Sequence, residues 1–505
     1  MEEQYIAQRK KNLEQLRAAG ITPYPYSYQV THHAQEIKQH YAHLAAAQET
    51  KDKVSVAGRL MQRRDMGKAM FYHIQDETGK LQLFLSKDNL PDQYDHLKYL
   101  DIGDIIGTQG VIFTTKTGEI TVKVSKLELL CKSLRPLPEK FHGLQDVELR
   151  YRHRHLDLIM DQNVRDVFKK QNKLYRAIRA FCEQREFMEV ITPTLQTIYG
   201  GAEAKPFVTH INAWNMKMYL RISPELHLKR LLVGGFEKIY TICQNFRNEG
   251  VDRSHNPEFT MMEIYQTYVD YTSVMKLVEE LYQQVALTLH GTTKIKYGDH
   301  ELDFKAPWKR MTMKDALKQH AQIDFDKHDD SEVQELLREY AITLEGDYNR
   351  ATALILLFEE LVEDKLIQPI HIIDHPNNNP LCKVHRKDPA LCERFESYCM
   401  GMEIANGYSE LNDPVVQRTA LSQQAEQLRA GLQDAHPMDE DFVQAIETGM
   451  PPAGGVGLGL DRMAMLVLGQ ESIRDVIFFP TMKPDQKTVD EQMKERIQPF
   501  KKALK

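Results

Sequence analysis

The chain has 505 residues, 42% hydrophobic and 27% charged, which suits a soluble globular protein of two to four domains with sizeable cores. A formal net charge of -7 argues against a general polyanion coat, although a local basic surface is enough to bind nucleic acid. No apolar run approaches a membrane-spanning length, and six cysteines without CxxC spacing read as reduced structural thiols of a cytoplasmic protein.

The opening MEEQYIAQRKKNLEQLRAAG lacks the apolar core of a signal peptide. It predicts a solvated helix stopped by Gly20, inside an N-terminal helical extension over 1–53. Residues 54–132 then read as five short strands: VSVAGRLMQRR, AMFYHIQD, KLQLFLS, DIIGTQGVIFT and EITVKVSKLELL. A polar helical stretch, LPDQYDHLKYL, follows the third. That order is the order of an OB-fold, a five-stranded β-barrel that binds single-stranded nucleic acid by stacking and a basic groove. Arg59, Arg63, Arg64 and Lys68 supply a candidate basic cluster, which a plain solvated face would also show.

SLRPLPEKFHGLQD, over 133–146, reads as a linker. From 147 to 505 the pattern is α+β, and hairpin-like pairs predict an antiparallel sheet flanked by helices. Leu174, Ile178, Phe181 and Cys182 share one face of a helix in 164–193, after which VITPTL carries the chain into strand. Residues 246–271, FRNEGVDRSHNPEFTMMEIYQTYVDY, suit a phosphate-handling loop between two paired strands. Arg247 is a permanently charged fork for phosphate or carboxylate. Gly250, Asn256 and Pro257 are turn residues, Arg253 and His255 add cationic reach, and Phe259 stands where a ring can stack on a base. Residues near 310–365 are mostly helical and read as an insertion.

ERFESYCMGMEIANGYSELND, from Glu393, spaces Glu396, Glu403 and Glu410 seven apart. A helix would make these a solvated stripe, but Gly401 and Gly407 favour strands and turns. No HExxH or Cys/His cluster suggests zinc, and His153 and His155 read as structural. In GGVGLGLDRMAML, Gly455, Gly457 and Gly459 approach a dinucleotide fingerprint, but the third gap is wrong and Asp461-Arg462 opens the helix instead. The glycines here permit close approach to the strand backbone.

These segments resemble the class II aminoacyl-tRNA synthetases. The 246–271 stretch is similar to motif 2. The 164–193 helix and strand, with Pro193, are similar to motif 1, which in the family builds the dimer interface. The glycine-rich strand running into a helix is similar to motif 3. The resemblance implies a catalytic domain on an antiparallel sheet that activates an amino acid with ATP. Both reactants are anionic, so positioning and charge neutralisation dominate. It implies catalytic roles for Arg247 and Arg462. Arg247 bridges the amino-acid carboxylate and α-phosphate, while His255 and Arg462 hold the distal phosphates. Phe259 stacks the adenine with Arg462 on its other face, Glu249 contacts the adenine, and Asn256 and Glu396 complete the ATP site. Glu396 and Glu403 match the magnesium carboxylates, for more than one Mg²⁺ ion bound with ATP.

Within the class, RPLPEKFHGLQDVELRYRHRHLDL, YLRISPELHLKRLLVGGFEKIY, GMEIANGYSELNDP and GQESIRDVIFFPTMKP resemble the lysyl-tRNA synthetases of bacterial type, over most of the chain from about residue 54. The implied substrates are L-lysine, ATP and tRNA(Lys), handled by a cytoplasmic homodimer with no membrane or DNA partner. Arg247 faces the lysine carboxylate and Glu225 its α-amino group. Glu263, Tyr265 and Glu410 surround the ε-ammonium, with Asn406 and Gly201 also lining the pocket. Burying an ammonium demands paired carboxylates. A relative specific for aspartate or asparagine is the alternative, and aspartate would need a cation where this chain has Glu263 and Glu410. A non-catalytic protein keeping the fold would be expected to lack the two arginines and the metal carboxylates. In the barrel, Arg64, Phe71, Gln82 and Glu119 match positions that read the U-rich anticodon. Two departures stand out: NNNPLCK at 377–383, and Tyr408 where phenylalanine is frequent. Neither is expected to touch the charge logic.

Overall fold

The computed structural model describes residues 2–67, 69–138, 146–344, 348–429 and 436–484. The chain divides into two compact units, Met1–Gln145 and Asp146–Lys505. Lys68, residues 139–145 of the expected linker and the stretch from 485 to 505 lie outside the described residues. No helix among the described residues is long and apolar enough to cross a membrane.

The first unit starts with α1 (Glu2–Ala18) and α2 (Ala34–His40). Five strands follow: β1 (Glu49–Met66), β2 (Ala69–Gln75), β3 (Lys80–Ser86), β4 (Ile105–Thr114) and β5 (Ile120–Cys131). They close into a barrel in the order β1-β2-β3-β5-β4. Alternating side chains fill it: Tyr72, Ile74, Leu81, Leu83, Leu85, Ile112 and Val122 are all buried. The helical stretch after the third strand is a 3₁₀ helix, Tyr94–Tyr99, which buries Leu97. β1 starts earlier than its hydrophobic alternation suggests. Glu49 and Lys53 pair with Phe113 and Val111 of β4, so hydrogen bonding extends the strand where side-chain pattern does not.

The second unit opens with α3 (Val147–Arg152), α4 (Arg154–Met160) and α5 (Gln162–Glu183). The short strands β6 (Met188–Glu189), β7 (Leu195–Gln196), β8 (Val208–Ile211) and β9 (Met216–Leu220) lead to α6 (Glu225–Val233). β10 (Lys238–Phe246) and β11 (Glu258–Thr267) form a hairpin, followed by α7 (Tyr271–His290) and a second hairpin, β12 (Lys294–Tyr297) and β13 (His300–Asp303). Next come β14 (Lys309–Thr312), α8 (Met313–Ala321), α9 (Asp330–Glu339), α10 (Arg350–Leu361), β15 (Ile370–Pro376), β16 (Leu391–Cys399) and β17 (Met402–Ser409). α11 (Pro414–Arg429) and α12 (Glu440–Gly449) precede β18 (Ala453–Gly459), α13 (Leu460–Leu468) and α14 (Ile473–Val476).

An eight-stranded sheet, in the order β14-β15-β16-β17-β18-β11-β10-β6, carries this unit. Its central pairs are antiparallel, and β14–β15 and β10–β6 are parallel. α5, α7 and α13 bury one face; Leu174, Ile178, Phe181 and Cys182 share that core with Leu281, Val285 and Met463. Two expectations change. VITPTL is not a continuous strand. It is mostly extended chain between the two-residue strands β6 and β7, held by single backbone hydrogen bonds from Val190 to Tyr240 O and from Arg221 to Thr194 O, with Ile191 97% exposed between them. The helices near 310–365 are not simply inserted between catalytic segments. They cross over between the parallel neighbours β14 and β15, and Leu354, Leu357 and Phe358 pack under Ile370 and Ile372 of the sheet.

Candidate active site

β11, β17 and β18 run side by side and build the floor of a cavity of about 470 Å³. Their register puts Glu263 and Asn406 on either side of Gly457, and Tyr265 and Tyr408 on either side of Gly455. Glycine is required at Gly455, and at Gly457 a side chain would have to displace the end of Met261. A Cβ on Gly455 would stand 2.2 Å from Glu410 Oε1 and 2.4 Å from Tyr265, and one on Gly457 would stand 2.8 Å from the Met261 methyl. At Gly455 the space admitted belongs to protein side chains, and the close approach expected of ligand to backbone is made by them first. β18 pairs antiparallel on both edges, which is incompatible with the parallel sheet of a dinucleotide fold.

At one end of the cavity Glu225 and Glu263 line the wall, and Glu410 lies buried against the lining Gly455. Glu225 opens α6, where the helix dipole favours an anion, and accepts from the Tyr408 hydroxyl at 2.6 Å. Glu263 accepts from Ser223 at 2.8 Å and from the Tyr265 hydroxyl at 3.0 Å. Glu410 is fully buried and meets the Lys229 ammonium at 2.5 Å. Burial, reinforced by the neighbouring Glu225, pushes Glu263 up to about 8. Burial raises Glu410 to about 8 as well, with Lys229 pulling against it. Gly201, at φ +85°, closes this end; its missing Cβ would lie 2.8 Å from Ser223 Oγ and 2.9 Å from Glu225 Cβ. Tyr408 therefore does touch the charge arrangement, because phenylalanine would lack the hydroxyl on Glu225. So does NNNPLCK, since Leu381 O accepts from the Lys229 ammonium at 3.4 Å, while Cys382 forms a backbone bridge with Glu410.

The loop between β10 and β11 is closed by the Arg247 amide donating to Pro257 O at 2.9 Å. The Arg247 guanidinium lies 5.1 Å from the centroid of the Phe259 ring, and its Nε finds no hydrogen-bond partner among the described residues. Burial lowers its pKa, with Glu403, Glu249 and Glu263 opposing the shift. The cation on Phe259 is Arg247, and Arg462 donates to His255 Nε2 at 3.2 Å and to the carbonyl of Glu403. His255 Nδ1 sits 2.9 Å from Asp252, so with Nε2 accepting, Nδ1 carries the proton donated to that carboxylate. Asn256 lines the cavity, but its amide is engaged on both sides, by Glu258 O and by the Thr481 amide. Glu249 is exposed at the mouth and accepts from the Lys205 amide at 3.3 Å.

Glu396 and Glu403 stand on the neighbouring strands β16 and β17. Burial would raise Glu396, but Arg394 at 2.5 Å holds it below the usual carboxylate range, with Tyr398 donating at 2.7 Å. Loss of bulk water and then Glu396 push Glu403 up. Asn406 accepts from Arg394 at 3.1 Å and donates to Glu396 at 3.3 Å. Motif reading missed Glu359, which lines the same cavity, and Glu363 beyond α10, which burial and then Glu359 raise to about 7. Both come from the segment read as an insertion, and nothing in its helical pattern signals that they approach β16 and β17. Two carboxylates whose crowding favours a cation suit a hard divalent ion completed by phosphate oxygens. Among the described residues no group of three or more His, Cys, Asp or Glu forms a self-sufficient metal cage.

In the barrel, Arg64 and Phe71 face each other across β1 and β2, and the Phe71 ring lies 5.2 Å from Phe84. Gln82 donates to Glu119 at 2.7 Å and accepts from Thr121 at 2.8 Å. His73, missed in the motif reading, adds a contact to Glu119 at 3.2 Å. The basic cluster is smaller than the sequence suggests. Arg59 donates to Gly103 O, and Arg63 is engaged by Asp65 and by the carbonyls of Leu97 and Leu100. Arg64 is left exposed.

Comparison with known proteins agrees with this layout. Residues 146–483 match the family described as tRNA synthetases class II (D, K and N), and residues 54–130 match the OB-fold nucleic acid binding domain. A lysine–tRNA ligase of Pelotomaculum thermopropionicum is 50% identical over 481 residues, covering 94% of each chain. One of Clostridium novyi is 47% identical over 486 residues, covering 95% of this chain and 94% of its own. One of Methanoculleus marisnigri is 47% identical over 475 residues, covering 93% of each.

Proposed function

The chain belongs to the class II tRNA synthetases of the aspartate, lysine and asparagine group, and on that premise we propose that it is a ligase joining L-lysine to tRNA(Lys). The observation that carries the choice of lysine is the buried trio Glu225, Glu263 and Glu410, two of them raised to about 8. Among the described residues Lys229 is the one ammonium placed against these three carboxylates, and a ligand with two ammonium groups supplies the remaining countercharge. Aspartate would add a fourth carboxylate.

In the first step a lysine carboxylate oxygen attacks the α-phosphorus of ATP, forming lysyl-adenylate and releasing pyrophosphate. Arg247 bridges the attacking carboxylate and the α-phosphate, a role supported by its buried Nε, which has no hydrogen-bond partner among the described residues. The adenine lies on the Phe259 ring, and Glu249 reads its edge. Arg462 and His255, already joined to each other, hold the distal phosphates. Glu396 and Glu403 would hold Mg²⁺, which when bound would neutralise phosphate charge. Replacing Glu403 with Gln is expected to raise the Mg²⁺ concentration for half-maximal exchange roughly tenfold, read in a magnesium titration at saturating ATP. In the second step the ribose hydroxyl of the tRNA terminus attacks the adenylate carbonyl and AMP leaves.

The barrel reads the anticodon through the exposed Arg64, a base stacked on Phe71, and the Gln82–Glu119 pair. Phe71→Ala is expected to raise the KM for tRNA about tenfold, since stacking contributes about 1–3 kcal/mol per base. Pyrophosphate exchange without tRNA should not change. A homodimer is supported by the exposed apolar residues Met188, Ile191, Leu195, Val208 and Trp214 that follow the motif 1 helix in the chain, and a cytoplasmic setting by six free cysteines.

The deciding experiment is ATP–pyrophosphate exchange with each of the twenty amino acids, with Mg²⁺ and without tRNA. Exchange with lysine is the expected result. Exchange with aspartate or asparagine instead would overturn the roles given to Glu263 and Glu410.

A further inference from the structure

Lys229 lies one turn after Glu225 on α6 and is wholly buried. Its ammonium stands 2.7 Å from Glu225 Oε1 and 2.5 Å from Glu410 Oε2. It also lies 3.4 Å from Leu381 O and 5.4 Å from the centroid of the Tyr408 ring. One protein ammonium therefore touches the carboxylates assigned to the two ends of the substrate. The surrounding ionisable groups are Glu225 from α6, Glu263 and Tyr265 from β11, Tyr408 and Glu410 at the end of β17, Cys382 from the preceding loop, and His436, which burial keeps neutral. Among these, Lys229 supplies the positive charge.

Charge matching gives this contact a purpose. Three carboxylates against one ammonium leave two negative charges. Lysine brings two ammonium groups to that end of the pocket, and Arg247 meets its carboxylate. Without Lys229 one buried carboxylate would exceed what the substrate can neutralise, and it would take up a proton instead. We propose that Lys229 is a positioning residue for lysine recognition: it ties Glu225 to Glu410, fixes their separation and cancels the one carboxylate that the substrate cannot.

The proposal rests on the lysine reading above. Lys229→Gln tests it, because the amide keeps two N–H donors for the same carboxylates while the charge is lost. Exchange with lysine should then show a KM for lysine raised about tenfold or more, the usual cost of losing a charged hydrogen-bond partner, with the KM for ATP unchanged. The pH at which lysine binding improves should move upward, since Glu410 loses its nearest cation. Lys229→Arg, which keeps the charge, should hold the wild-type pH profile. An unaltered lysine KM and pH profile in Lys229→Gln would overturn the proposal. So would a Lys229→Gln protein that does not fold, or that loses lysine and ATP affinity alike while Lys229→Arg does the same, because Lys229 would then be a prop of the fold. Absence of lysine-dependent exchange in the unaltered protein would remove both readings, whereas a lysine-dependent parent with an indifferent Lys229→Gln removes this one alone.

Discussion

Arg247→Ala is expected to abolish measurable adenylate formation, lowering lysine-dependent pyrophosphate exchange by about a thousandfold or more, the scale reached when a preorganised donor to developing charge is removed. The side chain is embedded between Phe259 and the acidic cavity wall, with Nε unpaired among the described residues. An arginine desolvated without a complete set of acceptors is costly to keep, and a ligand with phosphate and carboxylate oxygens repays it. Alanine would remove the bridge between nucleophile and electrophile and also a wall of the Phe259 site, so KM for ATP should rise while kcat falls. Lysine at this position keeps the charge but not the planar fork, and Arg247→Lys should recover only a small part of the rate. Exchange in Arg247→Ala within tenfold of the parent would show that neutralisation of the two anions occurs elsewhere, with Arg462 the next candidate.

The division between what the sequence disclosed and what it hid follows the kind of interaction involved. The barrel strands were legible because a period of two marks each one, and Tyr72, Leu83 and Val122 are buried as that period requires. The 246–271 hairpin was legible because turn residues and a long strand pattern bracket Arg247, and Phe246 does pair with Glu258 across it. Pairings decided by a third dimension were not legible. Arg63 is indistinguishable from Arg64 in sequence, yet carbonyls of a distant 3₁₀ turn engage the first and leave the second exposed. Arg462 and His255 are 207 positions apart and meet only because β18 lies beside β11. Lys229 reads as an ordinary charged residue on a helix, and only the folded sheet brings Glu410 to its ammonium. The motif reading therefore singled out groups whose own chemistry suits a substrate, and passed over Lys229, whose contacts are with other protein side chains.

Glu263 offers the sharpest test of substrate choice. Its carboxyl is raised to about 8 by burial and by Glu225, so at pH 7 the empty pocket holds it mostly protonated. Binding the ε-ammonium favours the ionised form, and the proton must leave. The KM for lysine should thus fall as pH rises from about 6.5 towards 8 and then level, while the KM for ATP stays flat. Stability has the opposite sign in the empty protein. A carboxyl whose folded pKa exceeds its unfolded value contributes stability that is present at low pH and is lost as pH rises through about 8. The melting temperature without lysine should decline across that window, and the stabilisation produced by lysine should grow. In Glu263→Gln the titrating group is gone: the pH dependence of lysine binding attributable to it should vanish, and kcat/KM for lysine should fall about a thousandfold, the scale on which a buried polar site rejects an unmatched partner. The amide would also face the Ser223 and Tyr265 hydroxyls, now with one acceptor oxygen where the carboxylate had two. If Glu263→Gln kept both the wild-type rate and the wild-type pH profile, the ammonium would have to be held by Glu410 alone, and Lys229, sitting 2.5 Å from that same carboxylate, would become its competitor.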